Sequence, residues 1–95
     1  MAMETLDQNA ALMVDGNAAA GMLMDVFSAE MTAAPAQCNA CGKTGPIGAL
    51  LVYMQNPGLV MRCPHCQSVV LRIVRTPRYT YIDARGAVYL SIPVG

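Results

Sequence analysis

Apolar residues between positions 17 and 31 recur at spacings of three and four, which is the pattern of an amphipathic helix. Asn17 or Asp15 can cap the free N–H groups at the start of this helix, and Pro35 marks its end within an Ala/Pro link. Since the apolar positions share one stripe, we expect the helix to dock through them on the rest of the chain. The stripe consists of Ala20, Leu23, Met24, Phe27 and Met31.

Two residues of this helical segment, Met22 and Gly21, lie outside the docking stripe. Met22 falls outside the stripe, and we expect its side chain to be exposed. Gly21 should weaken the helix by about 1 kcal/mol relative to alanine, unless close packing requires it. A stripe rich in methionine is also compatible with a metallochaperone or a partner groove, but helical spacing favours a docking face.

After residue 46 the pattern becomes that of short β-strands separated by turn residues. Residues 56–58, Asn-Pro-Gly, predict a turn between the first two strands. The sequence therefore predicts a small α+β fold, in which an acidic, partly helical arm (residues 1–37) precedes an antiparallel β domain of about five strands (residues 38–95). The predicted strands are residues 47–54, 58–62, 69–75, 78–83 and 87–92.

The last two predicted strands are separated by residues 83–86, Asp-Ala-Arg-Gly. This sequence suits a type I turn followed by glycine in the left-handed region, which is a three-residue hairpin loop. In that register Tyr81 would lie across from Tyr89 as an aromatic cross-strand pair.

The charges are divided unevenly along the 95 residues, although the formal net charge is zero. Residues 1–37 carry five acidic residues and no Lys or Arg, whereas residues 38–95 carry six Lys or Arg and only Asp83. The simpler interpretation, which we favour, is that arm and body attract each other. The alternative is a basic surface for an anionic partner, guarded by the arm.

No hydrophobic run approaches the roughly 18–20 residues that span a bilayer, and the amino terminus carries acids where a signal peptide would carry Lys or Arg. We therefore expect a cytoplasmic protein with no membrane partner. Thiols stay reduced in that compartment, so paired cysteines there favour a metal site over disulfides.

Four cysteines dominate the chemistry of the chain. Cys38 and Cys41 form one C-x-x-C pair, Cys63 and Cys66 form another, and 21 residues separate the two pairs. Such spacing predicts one Zn²⁺ held tetrahedrally by four sulfurs, a closed site with a structural role. Iron is the alternative because it shares tetrahedral sulfur ligation, but an electron carrier usually shelters its iron with aromatics, and this chain has one Phe and no Trp.

These pairs resemble the knuckles of the zinc-ribbon superfamily, whose rubredoxin-like pattern is C-x-x-C-G and C-P-x-C-G. The first knuckle matches through Gly42 and the second through Pro64, but Gln67 stands where the pattern has glycine in a left-handed conformation. Four further runs resemble a family of small uncharacterised bacterial zinc-ribbon proteins, a likeness that implies no activity. The runs are residues 15–21, 44–49, 62–66 and 74–77.

No catalytic residues are apparent in the sequence. His65 lies between two cysteines of the second knuckle, and as the only histidine it offers no pair for nucleophilic catalysis. We expect its side chain to face solvent and not to act as a fifth ligand. The Gly-Lys-Thr at residues 42–44 lacks the upstream glycine of a phosphate-binding loop, and acidic residues are too few for a paired-carboxylate site. We therefore expect a protein that is not an enzyme and has no small-molecule substrate.

Arginines and tyrosines gather near the end of the chain, and they are candidate contacts for a partner. By strand alternation Arg72 and Arg75 lie on opposite faces, so they do not form one basic stripe. Arginine beside exposed tyrosine is typical of single-stranded nucleic-acid binding, although such tyrosines more often pack at the rim of a core. The candidates are Arg72, Arg75, Arg78, Tyr79 and Tyr81.

Three classes of function remain open on these observations. We favour a structural zinc module that binds another protein or regulates one, through the helix or a sheet edge. The alternative is a nucleic-acid-binding ribbon acting in transcription or translation. A metal-handling accessory protein is the third class, similar to the nickel chaperones of hydrogenase maturation, but the chain lacks their Met-His-Glu start and any second histidine.

Overall fold

A computed structural model describes residues 13–55 and 58–94 of the chain, and it shows an α+β fold. The single α-helix of these residues, α1, spans Ala20–Phe27 and follows a 3₁₀ turn at Gly16–Ala19. The Asp15 carboxylate caps this segment by accepting a hydrogen bond from the Asn17 amide at 3.1 Å, as one of the two predicted caps.

The helix ends earlier than the sequence predicts. Ser28 adopts a left-handed conformation with φ of 55°, and its amide donates to the Met24 carbonyl at 2.8 Å. This αL cap stops the helix seven residues before Pro35, so Met31 lies beyond the helix although its side chain is buried. The expectation that Met22 is exposed is wrong, since its side chain is partly buried against the core.

The described residues form two antiparallel sheets. The larger sheet has the order β1-β4-β5-β6-β7, and the smaller has the order β3-β2-β8. In chain order the strands are β1 (Met13–Asp15), β2 (Pro35–Cys38), β3 (Thr44–Pro46), β4 (Leu51–Gln55), β5 (Gly58–Arg62), β6 (Val69–Arg75), β7 (Thr80–Asp83) and β8 (Ala87–Leu90).

The strand boundaries agree with the sequence prediction best in the middle of the larger sheet. β5 and β6 begin and end where predicted. Residues 47–49 form a 3₁₀ turn instead of the first strand, which therefore begins at Leu51. The Thr76 amide and hydroxyl both donate to the Tyr79 carbonyl, a turn that delays the start of β7 until Thr80. The predicted turn at 56–58 falls mainly on residues 56 and 57, outside the described residues.

The predicted hairpin between the last two strands is wrong, because those strands belong to different sheets. β7 pairs with β6, which places Tyr81 opposite Val74, whereas β8 pairs with β2, which places Tyr89 opposite Gln37. Tyr81 instead lies near Tyr79, with ring centroids 6.0 Å apart.

Gly86 lies where the chain crosses from β7 of the larger sheet to β8 of the smaller one. Glycine is required there for space and not for a left-handed φ. A Cβ on Gly86 would lie 1.8 Å from the Val69 carbonyl oxygen, so no larger residue fits between the two sheets there. The Gly86 carbonyl also accepts from the Asn39 amide at 2.9 Å, which attaches the crossing to the segment after β2.

The helix and both sheets contribute to one core of buried apolar residues. Leu23 of α1 is fully buried in it together with Met61 and Ile73 of the larger sheet. On the surface, Asp25 of α1 pairs with Arg75 of β6 at 3.7 Å, which is a contact of the acidic segment with the basic body.

The division at residue 38 into an arm and a domain stays a prediction, and residues 1–12 of that arm lie outside the described residues. Within the described ranges, no helix has the length and apolar character needed to cross a bilayer.

Candidate metal centre

The first cysteine knuckle closes the end of β2. The Cys38 amide donates to the Lys43 carbonyl at 2.9 Å, and the Gly42 amide donates back to the Cys38 carbonyl at 2.8 Å. Gly42 has a φ of 79°, a conformation that glycine adopts without strain. The Gln37 side-chain amide donates to the Gly42 carbonyl at 2.9 Å, so the turn that carries Cys41 is fixed from both sides.

The second knuckle repeats this hydrogen-bond pattern after β5. The Cys63 amide donates to the Ser68 carbonyl at 2.9 Å, and the Gln67 amide donates to the Cys63 carbonyl at 2.8 Å. Gln67 takes the left-handed φ of 65°, as expected for the position where the resembled pattern has glycine. The His65 amide points at the Cys63 sulfur, 3.4 Å away, while the residue itself is exposed as predicted.

The two knuckles bring four sulfur atoms together, all within 4.8 Å of one another. The Cys38 and Cys66 sulfurs are 3.6 Å apart, and those of Cys41 and Cys63 are 3.7 Å apart. A tetrahedral ion with metal–sulfur bonds of about 2.3 Å separates its ligands by about 3.8 Å, whereas a disulfide brings them to about 2.05 Å. The cluster therefore fits a metal ion and not a pair of disulfides.

The four cysteines differ in how far the protein covers them. Cys38 and Cys63 are buried, at 4% and 2% exposure, whereas Cys41 and Cys66 are exposed. Each knuckle thus contributes one buried and one exposed residue. An ion held here would be covered by protein on one side and close to solvent on the other.

The surroundings of Cys66 and Cys41 shift the pKa values of these two thiols in opposite directions. Hydrogen bonds from the Ser68 side chain and backbone lower the pKa of Cys66 to about 6. At Cys41 the Lys43 backbone amide acts in the same direction, but desolvation and the neighbouring sulfurs outweigh it and raise the pKa to about 11. The pKa of Cys66 thus lies below that of an ordinary thiol, and the pKa of Cys41 lies above it.

The structure does not bring the predicted partner contacts together on one surface. All five are exposed. Arg72 lies in register with Asp83 on the face of β6 opposite to the buried Ile73, whereas Arg75 lies on the helix side, where it pairs with Asp25. Alternation along β6 predicted this separation. The other three belong to the β6–β7 connection and β7: Arg78, Tyr79 and Tyr81.

Sequence reasoning missed two residues on the face that carries Arg72. The Arg62 guanidinium lies over the ring of Tyr53, 5.7 Å from its centroid. β4 and β5 pair with Leu51 opposite Arg62, which sets Arg62 diagonally across from Tyr53. Alternation along the two strands was the available signal, but it identifies the pair only when the register is known.

Comparison with known proteins adds a family but no activity. No curated protein and no solved structure matches the chain. One family model, described as a family of unknown function (DUF6510), matches residues 7–95. Because the match extends over nearly the whole sequence, the chain belongs to this family.

Proposed function

We propose that this protein is a small structural zinc-binding module that presents a surface to a partner and performs no catalysis of its own. The observation that carries the proposal is the sulfur cluster, with its separations of 3.6 and 3.7 Å. Four thiolates complete a tetrahedral shell and would leave no position for water or substrate. Zinc is favoured over iron because the chain has one Phe and no Trp to shelter a redox centre.

The position of the cluster explains why an ion would matter to this fold. Cys38 ends β2 of the smaller sheet, and Cys63 follows β5 of the larger sheet. An ion bound by both knuckles would tie the two sheets together. Chains this small often need such a staple, and in many metal-stapled domains metal binding and folding are one equilibrium.

The partner that we favour is another protein, bound at the edge of the smaller sheet. β8 is one of the two edge strands of that sheet, and Val88 and Tyr89 on it are 56% and 43% exposed. An exposed edge strand offers unpaired backbone groups to a strand of a partner, and apolar side chains beside it add contact area. The cytoplasm is the compartment that we propose, because its reducing conditions keep the thiols free to bind metal.

Two variants of the second knuckle test the structural role of the ion. Cys63→Ser should lose the bound metal, the dispersion of amide proton shifts and the cooperative melting transition, because it removes a buried ligand. His65→Ala is the matched control in the same knuckle, and it should keep all three because His65 is exposed. Near-native dispersion and melting in Cys63→Ser would contradict the proposal.

A further inference from the structure

The larger sheet has one face that is not packed into the core. Tyr53, Val60, Arg72 and Asp83 lie in one row across β4, β5, β6 and β7, each in register with the next. With about 4.8 Å between neighbouring strands, this row is about 14 Å long. Arg72 is exposed on it, while Ile73, the next residue along β6, is fully buried on the opposite face.

Two shallow depressions lie along this row and meet at Arg72. One has a volume of about 440 Å³ and the other about 320 Å³. Because both include Arg72, they make one continuous surface across the sheet, which we call the outer groove. The first is lined by Tyr53, Val60, Arg62, Gln67 and Arg72, and the second by Val69, Arg72, Asp83, Arg85 and Gly86.

Arg62 is held in place within the outer groove. One of its terminal nitrogens donates to the Gln67 carbonyl at 2.9 Å, and its guanidinium lies over the Tyr53 ring. Arg62 precedes Cys63 and Gln67 follows Cys66, so the second knuckle sets the distance between them. The remaining N–H groups and the flat guanidinium are thus oriented before any ligand arrives, which lowers the entropic cost of binding.

The charge of the outer groove favours an anion. Three arginines line it against one carboxylate, that of Asp83. Asp83 already accepts hydrogen bonds from the backbone amide and side chain of Arg85, at 3.2 and 3.0 Å. No acidic residue lines the first depression, which Arg62 and Arg72 share, whereas Asp83 lines the second together with Arg72.

We propose that the outer groove binds single-stranded nucleic acid. Arg72 and Arg85 would contact phosphates, and a base would stack on the cation–π pair of Arg62 and Tyr53. Arginine and tyrosine on an open sheet suit a chain that alternates anionic phosphates with flat bases, and a duplex would hide those bases. Nucleic-acid binding goes beyond the proposed function. It depends on the proposed zinc site only because the second knuckle positions Arg62.

The test uses the full-length, zinc-loaded chain and a fluorescein-labelled oligothymidylate of about 12 nucleotides, with oligouridylate alongside. Fluorescence anisotropy should show saturable binding that weakens as salt is added. Arg72→Ala should lower the affinity about tenfold and reduce the slope of log affinity against log salt by about 0.7, the value for one lost phosphate contact.

The remaining variants separate stacking from charge. Tyr53→Ala should weaken binding about tenfold with an unchanged salt slope, whereas Tyr53→Phe keeps the ring and should bind within about twofold of the wild type. Arg78→Ala is the matched control, because Arg78 is also an exposed arginine but, although the sequence made it a candidate contact, it lines neither depression. It should also bind within about twofold of the wild type.

Two results would overturn the proposal. The first is no saturable binding at low salt, which would leave the outer groove to an acidic protein segment. The second is an equal loss of affinity in Arg78→Ala and Arg72→Ala, which would show only general attraction to positive charge. Metal content is measured on every sample, so absent zinc in the wild type would contradict the structural proposal, while zinc without oligonucleotide binding would contradict this one alone.

Discussion

Truncating Leu23 to alanine tests whether α1 belongs to the folded core of the same chain. The Leu23 side chain is fully buried in the core that α1 shares with both sheets. Removing a buried leucine side chain costs the transfer free energy of the lost atoms and leaves a cavity, together about 3 kcal/mol. In a chain of 95 residues this loss should lower the melting temperature by about 12–24 °C.

Thermal unfolding of the zinc-loaded protein, followed by circular dichroism, measures this difference. Met24→Ala is the matched control, because Met24 is the next residue of the same helix and is 43% exposed. The Met24→Ala substitution should change the free energy of unfolding by less than about 0.5 kcal/mol. Equal losses in the two variants would refute the reasoning, since they would mean that α1 does not pack on the sheet through Leu23.

Three other predictions concern the backbone and the thiols. Gly21→Ala should stabilise the protein by about 1 kcal/mol, because nothing lies within 4 Å of the added Cβ, and a lower melting temperature would contradict this. Gln67→Gly should raise stability by about 1 kcal/mol by relieving the left-handed φ of 65°, whereas a loss would show that the side chain contributes more than the strain. Zinc affinity should fall as the pH falls, because each of the four cysteines must lose its proton to become a ligand. Competition with a chelating dye at about pH 8 and about pH 6 measures this affinity, and equal values at the two pH values would contradict ligation by thiolates.

Features set by local chemistry were predictable from the sequence. β5 and β6 are short segments rich in Val, Leu, Ile and Met that are bounded by turn residues, and their limits were predicted correctly. The Asp15 cap and the start of the helical segment follow from side-chain chemistry within two residues. The association of the two cysteine pairs depends on metal-ligand spacing, which needs no knowledge of the fold.

Features that depend on distant parts of the chain were not predictable in the same way. Residues 83–86 carry a good hairpin signal, but β8 pairs with β2, and the close approach of Gly86 to Val69 depends on this tertiary arrangement. The helix ends at Ser28, which adopts a left-handed conformation, and no glycine or proline at this position indicates the end in the sequence. The short strands β1 and β2 have little pattern of their own and exist because their partners are in place.

The pairing of Tyr53 with Arg62 in the outer groove was also not predictable, because it depends on the strand register. Each residue alone is an ordinary strand residue, and only the register of β4 against β5 puts the ring beneath the guanidinium. A register shift of one residue would move Arg62 to the other face of the sheet.

Metal content is the measurement that tests the central claim most directly. The protein is purified without added metal, and zinc and iron are determined by elemental analysis against the protein concentration. The four-sulfur cluster predicts one zinc ion per chain, retained through dialysis without a chelator. Iron in its place, or an exchangeable and substoichiometric metal, would contradict the structural role and favour electron transfer or metal delivery.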